Sequence, residues 1–104
     1  MAKQLRVAAS TGNVFRDVGF RREEAEHLLV RADLLIQVRR LIGAQRLKQR
    51  EAAEILQVSQ PRVSDLLRGR IDLFSTDALI DMLARFGARV RFTVKPTRRR
   101  LKVA

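Results

Sequence analysis

The stretch QREAAEILQVSQPRVSDLLRG, residues 49–69, decides the fold of this chain. It contains two short helical patterns, separated by a break that begins at Gln57. In the second pattern, Ser59 is suited to cap the helix, and Pro61 falls in the first turn, where its missing N–H matters least. Gly69 is suited to end the helix. Two short helices joined by so tight a turn predict a helix-turn-helix unit.

The apolar residues of the stretch agree with this prediction. Small residues are needed where the two helices cross, and Ala52 and Ala53 lie at that place. Apolar residues are also needed along the inside of both helices and the turn. We expect those positions to be filled by Leu56, Val58, Val63 and Leu66.

The second helix has a polar side that suits the major groove of DNA. At about 100° per residue, Val63, Leu66 and Leu67 share the buried side. A recognition helix places its N-terminal residues against base edges, and Gln60 is suited to adenine. An ordinary helical hairpin with a polar outside is the alternative. The predicted DNA contacts, including helix starts that could hold phosphate, are Gln49, Ser59, Gln60, Pro61, Arg62, Ser64, Asp65 and Arg68.

The net charge favours a polyanionic partner. The chain has 104 residues, which fits one small domain, and 22 Lys and Arg against 11 Asp and Glu give a net charge of +11. Such a charge attracts DNA, RNA or an acidic membrane, although a merely soluble basic protein is also compatible with it. RNA is the weaker choice because the chain lacks Tyr and Trp for base stacking.

The residue types present argue against catalysis and against a bound cofactor. There is no cysteine, and His27 is the only histidine. No glycine loop suited to phosphate appears, so we expect no enzyme activity, no metal and no cofactor. No apolar run is long enough to span a bilayer, and the start of the chain does not look like a signal peptide. We therefore expect a soluble, cytoplasmic protein.

The remaining sequence predicts a helical domain that ends in a strand. The pattern over 22–44 fits one long helix or two abutting ones, and a further helix, capped by Ser75, covers 75–86. From Ala88 the period changes to two, which predicts a half-buried strand. The expected organisation is an N-terminal extended segment at 1–21, a helical domain at 22–87, a strand at 88–95 and a basic tail at 96–104.

The same residues resemble a known family. The stretch 49–69 is similar to the helix-turn-helix of the Xre/Cro-type regulators, and GNVFRDVGF and FSTDALIDMLARFGARVRFTVKP, residues 12–20 and 74–96, resemble the HigA-like antitoxin group. This resemblance implies a mainly α, five-helix, phage-repressor-like domain with a C-terminal β-strand. It also implies a repressor of its own operon that neutralises a RelE/HigB-like toxin.

Three positions depart from the family pattern. Arg46 stands where a glycine is expected to end a helix, and Lys48 replaces a capping threonine. Gln57 replaces the glycine of the turn and is expected to need a left-handed backbone, at about 1 kcal/mol.

A toxin of that kind should be basic, so we expect it to contact the acidic start of the first helix and its apolar neighbours. A hydrophobic staple that seals the core is the alternative for that segment. The residues in question are Val14, Phe15, Asp17, Phe20, Glu23, Glu24 and Glu26.

Specific operators usually need two recognition helices, so we expect a homodimer. The strand at 88–95 could pair with its symmetry mate, or it could pair within the chain, either with residues 5–8 or with the segment near Val14. The expected seam residues are Leu83, Phe86, Val90, Phe92 and Val94. Two functional alternatives are a solitary phage-type repressor and a protein-interaction module that does not bind DNA.

Overall fold

The computed structural model describes residues 21–96, the backbone of residues 4–7, and Gly19. Within these residues, four α-helices and a short 3₁₀ turn lie between two strands. In chain order they are β1 (Gln4–Val7), α1 (Arg22–Ala44), α2 (Gln49–Leu56), α3 (Gln60–Leu67), the 3₁₀ turn (Ile71–Leu73), α4 (Thr76–Arg85) and β2 (Arg89–Phe92).

The described residues form four α-helices rather than the expected five, because α1 is a single helix of 23 residues. No proline interrupts it, and its only glycine, Gly43, lies in the last turn. Its buried side changes along its length: Ala25 and Leu29 are buried near the start, whereas residues from Leu34 onward join the main core. This change of face makes one helix resemble two in the sequence. No helix among the described residues has both the length and the apolar character needed to span a membrane.

The turn between α2 and α3 forms as predicted. Gln57 has φ 59° and ψ 42°, in the left-handed region, and its side-chain Nε2 donates to the Glu54 carbonyl at 3.2 Å. Arg46, at the other position where a glycine was expected, has φ 53°. Arg46 and Gln57, which replace glycines of the family pattern, therefore both adopt a conformation in which glycine would be unstrained.

The helix starts also follow the sequence. Ser59 Oγ accepts from the Arg62 N–H at 3.3 Å, and Ser75 Oγ accepts from the Ala78 N–H at 3.1 Å, which confirms both predicted caps. At the start of α2, Glu51 Oε1 accepts from the Lys48 N–H at 2.8 Å. The Lys48 ammonium can donate hydrogen bonds but cannot accept one from a backbone N–H. Only the half of the capping box that Glu51 provides can therefore form.

The core lies where α2 and α3 pack against α1 and α4. Six residues of the helix-turn-helix were predicted to face inward. Five of them are buried, namely Ala52, Ala53, Leu56, Val63 and Leu66, and Val58 is partly buried. They join a larger apolar cluster, so the polar side of α3 is left facing outward. The other buried members are Leu34, Leu35, Val38, Ile42, Phe74, Leu79, Met82 and Leu83.

The C-terminal strand is shorter and more exposed than predicted. β2 ends at Phe92 rather than near Lys95. It pairs in parallel with β1, with Leu5 opposite Val90, so pairing within the chain occupies one edge of β2. Val90, Phe92 and Val94 were expected to form one half-buried face. Val90 is half-buried, but Phe92 is 50% exposed and Val94 is 92% exposed.

Candidate nucleic-acid interface

The outer side of α3 is polar and accessible. Val63 and Leu66 are 1% and 0% exposed, which holds the helix on the core by one side. On the other side Gln60, Pro61 and Arg68 are exposed. Ser64 and Asp65 are half-buried and lie on the same side by the helical period. The structure therefore brings five of the eight predicted DNA contacts together on one ridge of α3.

Arg62 is placed differently from the prediction. Its Nη1 donates to the Leu73 carbonyl at 2.7 Å, and its guanidinium lies 4.1 Å from the centroid of the Phe74 ring. Phe74 itself is 1% exposed. A guanidinium held by a carbonyl and an aromatic face cannot extend freely toward a phosphate. Arg62 thus ties α3 to the segment that follows it.

The two predicted phosphate contacts at helix starts are accessible. Ser59 and Gln49 are exposed at the start of α3 and α2, respectively. Backbone N–H groups in the first turn of a helix lack intrahelical partners and attract anions. Exposed Lys48 and Arg50 flank Gln49 and add positive charge at the same place.

Sequence reasoning missed two arginines beside the recognition helix. Arg39 and Arg40 of α1 are exposed and line a groove against Leu67 of α3. Their helical periodicity made them look like ordinary surface residues. The signal that could have identified them is the missing acid: no Asp or Glu lies between Asp33 and Glu51.

Asp33 is a second residue that sequence reasoning did not single out. It is half-buried on α1, and its Oδ2 is buried without a hydrogen-bond partner among the described residues. Burial raises the pKa of this carboxyl above its ordinary value. The structure therefore carries one carboxylate whose charge is poorly solvated.

The predicted seam residues are separated by the structure. Leu83 is 0% exposed in the core of its own chain, so it cannot contribute to an outer surface as expected. Phe86 and Val90 are half-buried against the core cluster. Phe92, the last residue of β2, and Val94, just beyond it, are exposed.

The residues expected to contact a toxin are only partly described. Val14, Phe15, Asp17 and Phe20 lie outside the described residues. Glu23, Glu24 and Glu26 are exposed in the first turns of α1. Glu24 forms an ion pair with Arg21, with 2.6 Å between Oε1 and Nε, and this contact raises the pKa of Arg21.

Comparison with known proteins agrees with the geometry. The sequence profile of a helix-turn-helix domain family matches residues 14–95, most of the chain. A solved structure described as an XRE-family transcriptional regulator is similar, with a TM-score of 0.66 and 27% identity over 78% of this chain and 91% of that chain. A search of curated proteins found no match. With two packed helices, a tight turn and a family match over that range, this chain belongs to the helix-turn-helix domain family.

Proposed function

We propose that this protein is a sequence-specific DNA-binding transcriptional regulator of the Xre type that reads DNA with α3. The observation that carries the proposal is the exposed polar ridge of α3, held outward by buried Val63 and Leu66. The similar solved structure is described as a transcriptional regulator, which supports the same function here. A net charge of +11 supplies the long-range attraction to the duplex.

The residues of the ridge are suited to contact different groups of the DNA. Gln60 lies at the N-terminal end of α3 and can bond to both the N7 and N6 positions of adenine. Ser64 lies one turn later on the same side and can meet several base edges. Arg68, at the end of the helix, reaches a guanine or a phosphate. Asp65 can accept from cytosine and disfavours a phosphate at its position.

The proposal is tested with a duplex selected from random sequences by the purified chain. Fluorescence anisotropy then compares this duplex with a scrambled one for the wild type and for Gln60→Ala/Ser64→Ala/Arg68→Ala. Each lost base contact is worth about 1–3 kcal/mol, so the triple variant should lose the preference by more than about 100-fold.

The matched control for this experiment is Gln37→Ala/Thr76→Ala/Arg21→Ala, which removes the same kinds of side chain from residues outside α3. It should keep the preference of the wild type. Equal discrimination by the wild type and the α3 variant would show that the ridge does not read bases. That result would favour a protein-interaction module without DNA contact.

We also propose that the protein acts as a homodimer through β2. One edge of β2 pairs with β1, and the opposite edge has no partner among the described residues. Phe92 at the end of β2 and Val94 just beyond it are exposed. Pairing of this edge with its symmetry mate would cover both residues and present two recognition helices to successive turns of the operator.

Sedimentation velocity tests the dimer. Phe92→Ser/Val94→Ser should shift the chain toward the monomer and weaken binding to the selected duplex. Leu73→Ser is the control, because Leu73 is also an exposed apolar side chain, 38% exposed, but lies away from β2. A dimer that persists in the double variant would remove β2 as the seam.

The antitoxin role is the finer part of the proposed function. It is supported by the resemblance of residues 12–20 and 74–96 to HigA-like antitoxins and by the exposed glutamates at the start of α1. These acids suit a small basic toxin, such as a RelE/HigB-like ribonuclease, better than the basic end of the chain does. A solitary repressor would lack such a partner.

The test uses any small basic protein encoded next to this chain. Glu23→Lys/Glu24→Lys/Glu26→Lys should weaken its binding, measured by calorimetry, while operator binding stays at least as strong as before. Asp77→Lys/Asp81→Lys is a control on α4, where both acids are also exposed. Toxin affinity that is unchanged by the triple variant would remove the first turns of α1 as the binding surface.

A further inference from the structure

A second cationic surface lies beside the recognition helix, on α1. Arg39 and Arg40 are exposed and form two sides of a groove, with Ile36 and Gly43 between them by the helical period. Leu67, in the last turn of α3, lines the same groove, together with Ile42. The groove therefore lies between α1 and the C-terminal end of α3.

Arg39 reaches the end of α3. Its Nη1 lies 3.8 Å from the point where a Cβ on Gly69 would stand, and Gly69 directly follows the C-cap residue Arg68. Neither Arg39 nor Arg40 forms an ion pair with another described residue. The groove is lined by two cations and no acid. Two uncompensated guanidinium groups are therefore held next to the ridge that faces DNA.

The dimensions of the major groove bring phosphates to this position. The groove is about 12 Å wide, and a helix with its side chains is about 10–12 Å across, so an inserted helix has a phosphate wall on each flank. Leu67 lies on the flank of α3 next to Gln60 and Ser64, about 20° and 60° away on the helical wheel. The side chains beside Leu67 consequently face one wall of the groove.

We propose that Arg39 and Arg40 bind phosphates along this wall, so that the DNA interface extends from the helix-turn-helix onto α1. The inference rests on the proposed function and adds two residues to that site. Ile36, 42% exposed at the bottom of the groove, would also suit an apolar protein segment. Phosphate is favoured because the charged residues that line the groove are both arginines, and no acidic residue among its lining offsets them.

Salt dependence of DNA binding tests the inference in the full chain. Each phosphate contact contributes about 0.9 to the slope of log affinity against log salt, so Arg39→Gln/Arg40→Gln should reduce the slope by about 1.8 for each bound protomer. Phosphate contacts carry no sequence information. The variant should therefore lose affinity by the same factor on the selected and the scrambled duplex.

Two controls separate contact from net charge. Arg39→Lys/Arg40→Lys keeps both charges and should keep most of the slope. Arg21→Gln/Lys95→Gln removes two exposed charges elsewhere and should leave the slope unchanged. An unaltered slope for Arg39→Gln/Arg40→Gln, or an equal loss in the Arg21 and Lys95 control, would overturn the inference while the proposed function stands. A wild type that binds no duplex would overturn both.

Discussion

Two residues of the helix-turn-helix region, Arg46 and Gln57, occupy the left-handed region of backbone space. Side chains other than glycine pay roughly 1–2 kcal/mol for this conformation. The strain at Gln57 could be foreseen because Gln57 stands where the family that the sequence resembles has a glycine. The hydrogen bond from its side chain to the Glu54 carbonyl, at 3.2 Å, recovers part of the cost.

Gln57→Gly should stabilise the protein. The substitution removes the strain of the left-handed conformation, but it also raises the conformational entropy of the unfolded chain. The net effect should be a rise of about 0.5–1 kcal/mol in the free energy of unfolding, measured by urea denaturation. Gln45→Gly is the matched control, because Gln45 has φ −90° and gains no relief. If Gln57→Gly were no more stable than Gln45→Gly, the strain assigned to the turn would be wrong.

Asp33 predicts a pH dependence of stability. Burial raises its pKa in the folded state, so the folded chain binds this proton more tightly than the unfolded chain does. Stability from this group is therefore present below the ordinary carboxyl pKa. It is lost as pH rises through the higher folded pKa.

Asp33→Asn should accordingly raise the melting temperature at pH 7, because it removes the poorly solvated charge while keeping the size of the side chain. The gain should shrink as the pH is lowered to the range where Asp33 binds its proton. Asp81→Asn, at an exposed site on α4, should give no such gain. A melting temperature lowered by Asp33→Asn at pH 7 would contradict this account.

At the scale of the elements, local signals predicted more than long-range ones. Ser59 and Ser75 cap their helices, as serines before an apolar pattern should. The extent of α1 was ambiguous, because its buried side shifts between Leu29 and Leu34. The partner of β2 was also open, since strand pairing depends on segments far apart in the chain and no local pattern specifies it.

Arg62 shows how contacts between elements change a residue's role. From its position it was expected to reach DNA, yet it bonds to the Leu73 carbonyl and lies on the Phe74 ring. A charged hydrogen bond of this kind is worth about 1.5–3 kcal/mol, and the ring contact adds about 0.5–1 kcal/mol. No periodicity could reveal this, because the partners follow a turn beyond the helix.

Arg62→Ala and Arg68→Ala should therefore separate stability from binding. Arg62→Ala should lower the free energy of unfolding by about 2 kcal/mol in urea denaturation. Arg68→Ala, at the exposed end of α3, should leave unfolding within about 0.5 kcal/mol of the wild type and weaken DNA binding instead. The opposite pattern would mean that Arg62 faces the duplex and Arg68 supports the fold.

At the scale of the whole molecule, the net positive charge and the exposed polar ridge of α3 both favour DNA as the partner. The sequence was sufficient to predict the ridge, because burial of Val63 and Leu66 fixes which side faces outward. It was insufficient to predict the flank formed by Arg39 and Arg40, because that surface depends on how α1 crosses α3. The absence of acidic residues between Asp33 and Glu51 marks this basic stretch in the sequence, but only the packing shows that Arg39 and Arg40 lie beside α3.

The most direct test of the central claim is a map of backbone amide shifts by NMR as the selected duplex is added to the full chain. We predict the largest changes along Gln60–Arg68 and at the first turn of α2, with the exposed residues of α4 little affected. Changes centred on α4 instead, with the amides of α3 unmoved, would contradict the claim that α3 lies in the groove.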